Sequence, residues 1–210
     1  MNEIQKKDML ARKASILAKL EKKGLERNLS PNRLVNSSVG VACLLIDCST
    51  SMEGEGLRQA KRGAANFAKD ALGKRYKAGI VSFSCYAKVI TEPSNDSEQI
   101  RRAIEQMSVE GSTDMAEGLR QAGAMVRACP KQKTVVLVTD GYPNDEDEAL
   151  SEAMRLRKSG IEIITIGTED ANHAFLRKIA SRSDLVIPVE RKNLAIAMQS
   201  AARALPAPKD

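Results

Sequence analysis

The sequence contains no tryptophan, three phenylalanines, three tyrosines and a single histidine in 210 residues. Aromatics make up 3% of the chain while hydrophobic residues reach 42%, so a core can form but must be aliphatic. A nucleic-acid surface built on stacked aromatic side chains is poorly supplied by that composition. No apolar run approaches the roughly 20 residues that span a bilayer. The opening residues, MNEIQKKDML, lack the apolar centre of a signal peptide. These absences lead us to expect a cytoplasmic protein. Cys43, Cys48, Cys85 and Cys129 form no CxxC pair, and Cys43 and Cys85 read as parts of apolar strands, so reduced structural thiols are expected. GxxxxGK[ST] and GxSxG are absent, and no GxGxxG follows the first strand. The lone His173 lies in Glu169-Asp170-Ala171-Asn172-His173, which reads as an exposed helix start rather than a catalytic base.

Charge is unevenly placed. Residues 1–33 hold nine Lys or Arg and four Asp or Glu, a net of +5 out of +6 for the whole chain. From Ile4 to Leu25 the pattern is helical, with Met9, Leu10, Ile16, Leu17 and Leu20 on one broad face. A single apolar stripe needs a partner surface. Packing on the rest of the chain, a partner protein and self-association are the three occupants considered, and the Lys face reads as solvated before it reads as a nucleic-acid patch. Leu29 to Gly40 has a linker composition. The expected organisation is a basic amphipathic extension and linker over 1–36, a domain over 37–205 and a frayed tail over 206–210.

What the chain has in plenty is strands that end in oxygen. Val41 to Met52, VACLLIDCSTSM, opens as a strand buried on both faces and closes on Asp47, Ser49 and Ser51. Lys133 to Asp140, KTVVLVTD, is a second apolar strand that ends in a carboxylate, followed by Gly141. Gly111-Ser112-Thr113-Asp114 is a small polar loop before a helical pattern. Hydroxyl and carboxylate oxygens suit a hard divalent ion such as Mg²⁺ or Mn²⁺. A DxSxS by itself is equally a turn or a helix cap. The acidic run Asn144 to Glu148 resembles a second cation site, but it better complements the positive end of a helix dipole.

Helices are expected over Glu55–Leu72, Ser97–Met107, Met115–Cys129, the segment from Asn144 to about Gly160, Asn172–Ser181 and Asn193–Leu205. Strands are expected over Ala78–Ser84, Ala87–Thr91, Val135–Thr139, Ile161–Gly167 and Leu185–Val189. The link from Ser84 to Tyr86 is too short for a crossover, so its two strands should pair antiparallel. Glu92-Pro93-Ser94-Asn95 reads as a turn. Alternating strands and helices predict an α/β fold, doubly wound around a mostly parallel sheet with helices on both faces.

Asp47, Ser49, Ser51, Thr113 and Asp140, in that order and with strands before both Asp residues, resemble the von Willebrand factor type A (vWA) domain and its metal-ion-dependent adhesion site. The resemblance implies six strands in the order 3-2-1-4-5-6, with strand 3 antiparallel. It implies that Ser49, Ser51 and Thr113 hold Mg²⁺ or Mn²⁺ through neutral hydroxyls, with Asp47 and Asp140 acting through water or hydrogen bonds. An Asp or Glu of a partner protein would complete the ion's shell. Among intracellular members it also implies work in assemblies, either with AAA+ ATPases of the magnesium-chelatase and MoxR type or in tellurium-resistance-like systems. The expectation is therefore a non-enzymatic interaction module. Its alternatives are a metal-dependent phosphohydrolase and a vWA scaffold that uses no metal. A dehalogenase-type phosphatase needs a second Asp where this chain has Ser49. Replacing Asp47 by Ala is expected to lose the ion while keeping the fold, because its cost is local and at an exposed strand end.

Overall fold

The computed structural model describes residues 40–206. The amphipathic extension expected over 1–36 lies outside them.

Strand β1 (Gly40–Asp47) is buried at all eight positions. Successive side chains of a strand point to opposite faces. Ala42, Leu44 and Ile46 enter one core, while Val41, Cys43 and Leu45 enter a second on the other side. A strand that is apolar without alternation is thus a strand feeding two cores.

The remaining elements are α1 (Glu55–Gly73), β2 (Tyr76–Phe83), β3 (Ala87–Ser94), α2 (Ser97–Glu105), α3 (Met115–Arg127) and β4 (Gln132–Thr139). They continue with α4 (Glu146–Lys158), β5 (Glu162–Gly167), α5 (His173–Ile179), β6 (Val186–Pro188) and α6 (Leu194–Ala204). The sheet runs β3-β2-β1-β4-β5-β6. β3 is antiparallel to β2, and the other pairs are parallel. Helices α1, α2 and α6 cover one face, and α3, α4 and α5 cover the other. This is the expected doubly wound fold.

Three differences from the sequence reading have local causes. The segment expected as a turn at Glu92–Asn95 instead extends β3 to Ser94. β3 is an edge strand, where a missing N–H is tolerated, and a break in register between Ala78 and Ile80 absorbs Pro93. Cys85 lies in the β2–β3 hairpin and is exposed, not in an apolar strand. Pro206, expected to begin a frayed tail, accepts a 3.0 Å hydrogen bond from the Tyr76 hydroxyl. Residues 207–210 lie outside the described residues.

Caps consume much of the acid seen in the sequence. Asp114 accepts from the Glu117 amide and Asp145 from the Glu148 amide, each at 2.9 Å. Glu146, Asp147 and Glu148 fill the first turn of α4, next to the positive end of its dipole. The acidic run is a helix start.

Among the described residues, every strand of the sheet lies at or after Gly40. A chain beginning at Ser37 is therefore expected to fold. If the stripe of the extension packs on the domain, truncation should cost a few kcal/mol at most, given about 1.5–3 kcal/mol per fully buried large apolar side chain. Thermal unfolding of the truncated chain checks this. An insoluble or unfolded product would place the extension in the core.

Candidate metal centre

β1 and β4 are neighbours, and the helices that follow them leave to opposite faces. That arrangement opens a crevice at the carboxyl ends of the two strands, where ligands of open α/β sheets bind. Asp47 and Asp140 end these strands.

Register fixes the first contact. Ile46 pairs with Val138, so the next residues, Asp47 and Thr139, face one another. The Thr139 hydroxyl donates to Asp47 Oδ2 at 2.6 Å. The Ser49 amide donates to Asp47 Oδ1 at 2.8 Å, closing an Asx turn that directs the chain away from the sheet. A short 3₁₀ turn, Thr50–Met52, follows, and the fully buried Met52 anchors it. The turn brings Ser49 Oγ within 3.1 Å of Ser51 Oγ. Ser51 Oγ donates to Asp140 Oδ1 at 2.7 Å. The residues predicted from β1 and β4 therefore converge in one hydrogen-bonded group.

Thr113 reaches the same end of the sheet on a loop bonded to three others. Its amide donates to Asn144 Oδ1 at 3.1 Å, and its carbonyl accepts from the Asn144 amide at 2.9 Å. Gly111 O accepts from the amide and the hydroxyl of Thr50 at 3.1 and 2.9 Å. The Asp114 amide donates to Ser84 O at 2.6 Å. Gly111 has φ +50, and a β-carbon there would fall 2.1 Å from Cys85 Sγ, so the turn suits glycine.

Asp47 is completely buried, not at an exposed strand end as expected. Burial pushes its carboxyl up to about 6; the hydrogen bonds from Ser49 and Thr139 oppose the shift, and the Asp140 charge adds to it. Replacement by Ala would leave the Ser49 amide and the Thr139 hydroxyl without that acceptor, so its cost is not merely local. Burial also pushes the Cys48 thiol up to about 12, as expected of a structural thiol. Cys85 differs. Its sulfur accepts from the Ser112 hydroxyl and amide, which lower its pKa.

Three contributors were not legible in the sequence. Thr139 reads as a strand residue, and only register sets it against Asp47. Asn144 reads as a loop residue, but its side chain positions the Thr113 loop. Arg191, from the turn before α6, places Nη2 2.9 Å from Asp140 Oδ2 and donates from Nη1 to Ser51 O at 2.9 Å. No sequence signal marks it. His173 opens α5 as predicted but is half-buried rather than exposed.

The donor set suits a hard divalent ion: two serine hydroxyls, a threonine and two carboxylates. Asp140 Oδ2 is buried and accepts no hydrogen bond. Among the described residues no three His, Cys, Asp or Glu side chains group as a metal cluster would. A cation at this site would depend on the hydroxyls.

The von Willebrand factor type A domain family matches residues 43–201, and the chain belongs to that family. It is 28% identical over 167 residues to the magnesium-chelatase 60 kDa subunit of Cereibacter sphaeroides, a match covering 72% of this chain and 30% of the relative. The chain spans about a third or less of the length of the curated relatives it matches. The vWF domain of the pilus tip protein Mfa5 from Porphyromonas gingivalis superposes with TM-score 0.73 at 15% identity, covering 82% of this chain and 98% of that one. Proximal thread matrix protein 1 of the mussel byssus, solved with a zinc-occupied MIDAS motif, gives 0.69 at 22% identity, covering 80% and 46%. No helix among the described residues is long and apolar enough to cross a membrane.

Proposed function

We propose that this vWA domain is a cytoplasmic protein-interaction module that holds Mg²⁺ or Mn²⁺ at Asp47, Ser49, Ser51, Thr113 and Asp140. The ion would present itself to an Asp or Glu carboxylate of a partner protein. The observation that carries this reading is the hydrogen-bonded chain Ser49–Ser51–Asp140, set beside buried Asp47 at the strand ends. When bound, the ion supplies a positive, oxygen-seeking centre. The chain's own residues would hold it through neutral hydroxyls, leaving the ion little neutralised and attractive to an external carboxylate. Asp47 would act chiefly by orienting the Ser49 turn. The similarity to a magnesium-chelatase subunit supports a setting in an assembly with an AAA+ ATPase.

Calorimetry with Mn²⁺ tests the site. Wild type should bind, and Asp140→Ala should lose at least tenfold in affinity, because the negative charge beside the ion and the acceptor that orients the Ser51 hydroxyl are both gone. Unchanged affinity would refute the assignment. Capture of a partner from the host should fail in EDTA and in the Asp140→Ala variant. The module should not turn over phosphate esters with Mg²⁺ or Mn²⁺. Turnover lost in Asp140→Ala, and kept in a surface control, would favour the phosphohydrolase.

A further inference from the structure

Arg191 reaches the centre from the far end of the chain and bonds to three segments of it. Its Nη2 lies 2.9 Å from Asp140 Oδ2 and 3.0 Å from Asp170 Oδ2. Nη1 donates to Ser51 O at 2.9 Å, and the backbone amide of Arg191 donates to Glu169 Oε2 at 2.7 Å. The Asp140 side chain is wholly buried, while that of Arg191 is 25% exposed. Asp140 Oδ2 accepts no aligned hydrogen bond, so the guanidinium acts on it mainly through charge. A buried carboxylate without a counter-charge is costly, and Arg191 is the cation placed against it.

From this geometry we infer that Arg191 is an internal counter-cation of the metal centre, which stabilises the ion-free site and sets its affinity for divalent cations by competing for Asp140. The inference rests on the cation reading given above. A fixed positive charge on the same carboxylate repels an incoming ion and must be partly displaced or tolerated. At an effective dielectric near 20, the bare repulsion over several ångströms exceeds an order of magnitude in affinity; solvent screening at the part-exposed Arg191, and its freedom to swing away, bring the expected effect down to about tenfold. The same charge favours an anionic partner beside the ion. Arg191 would therefore trade cation affinity for recognition of a carboxylate. It is a positioning residue and not itself a ligand.

The test compares wild type, Arg191→Gln and Arg191→Lys by Mn²⁺ calorimetry and by thermal unfolding in EDTA. Arg191→Gln should bind Mn²⁺ about tenfold more tightly and unfold at a lower temperature without metal, and saturating Mn²⁺ should restore most of that loss. Arg191→Lys keeps the charge but not the planar fork, so its Mn²⁺ affinity should stay near wild type. A purely structural ion pair would lower the unfolding temperature and leave affinity unmoved, which would overturn the inference. Equal or weaker Mn²⁺ binding in Arg191→Gln also overturns it. If neither wild type nor Arg191→Gln binds Mn²⁺, the cation reading itself fails and the inference with it. Binding by Arg191→Gln alone would support both.

Discussion

Asp47→Asn is expected to weaken Mn²⁺ binding, because a negative charge beside the site is gone, and at the same time make the metal-free protein more stable at pH 7 to 8. Asp47 has a folded pKa of about 6 against an ordinary value of 3.8, with burial as the main cause. Its contribution to stability is therefore full below about pH 4 and lost as pH rises through 6. At neutral pH the ionised, buried group costs about 3 kcal/mol, at 1.36 kcal/mol per pKa unit. Asn removes the charge and still accepts from the Ser49 amide. The Thr139 hydroxyl then loses a carboxylate acceptor, which offsets part of the gain. A net stabilisation of about 1–2 kcal/mol is expected at pH 8 in EDTA, shrinking toward zero near pH 4. Denaturant unfolding at the two pH values checks it. A variant less stable than wild type at pH 8, or a difference independent of pH, would show that Asp47 is not a strained buried charge.

Gly63→Val should be strongly destabilising, because it wedges α1 away from α6. A β-carbon at Gly63 would lie 2.4 Å from Met198 Sδ, 3.0 Å from Ala195 Cα and 3.1 Å from Met198 Cβ. The thioether can swing aside. The Ala195 backbone cannot move without shifting α6 off α1. Overpacking of this kind costs about 1–3 kcal/mol, occasionally more. The helix regains a few tenths of a kcal/mol when glycine is replaced. A loss of about 1–3 kcal/mol follows, or about 2–12 °C in Tm for a domain of this size. Gly63→Ala should cost less, because only the first overlaps apply. Calorimetric unfolding of both variants decides it, and an unchanged Tm in Gly63→Val would mean that α6 does not sit on α1 as closely as described.

Much of the architecture was legible from pattern alone. A strand with no alternation, such as Val41–Ile46, must be buried on both faces, and the short Ser84–Tyr86 link must join an antiparallel pair. Strand and helix alternation then leaves few topologies. Other features yielded only in part. Glu92-Pro93-Ser94 carries turn chemistry, yet the edge position of β3 makes a proline there harmless. Ser37 as a boundary and the amphipathic stripe of the extension remain readings of the sequence.

Residue identities and their spacing say which atoms are available: two carboxylates and two serines at strand ends, and a threonine in a glycine-containing loop. Local chemistry is written in adjacent residues, so a turn or cap at Asp47 and an acidic helix start at Asn144–Glu148 could be anticipated, while the caps at Asp114 and Asp145 are seen only in the structure. Which of these atoms meet, and at what electrostatic cost, depends on the folded sheet. Register alone sets Thr139 against Asp47. Strand order alone brings Ser51 to Asp140, 89 positions away. The return of the chain before α6 alone delivers Arg191 to Asp140. None of these pairings has a sequence period, because each depends on where the sheet places a residue rather than on what precedes it. Burial follows the same rule: Asp47 is an ordinary aspartate in sequence and a strained one in the fold because two helical layers exclude water from the end of its strand.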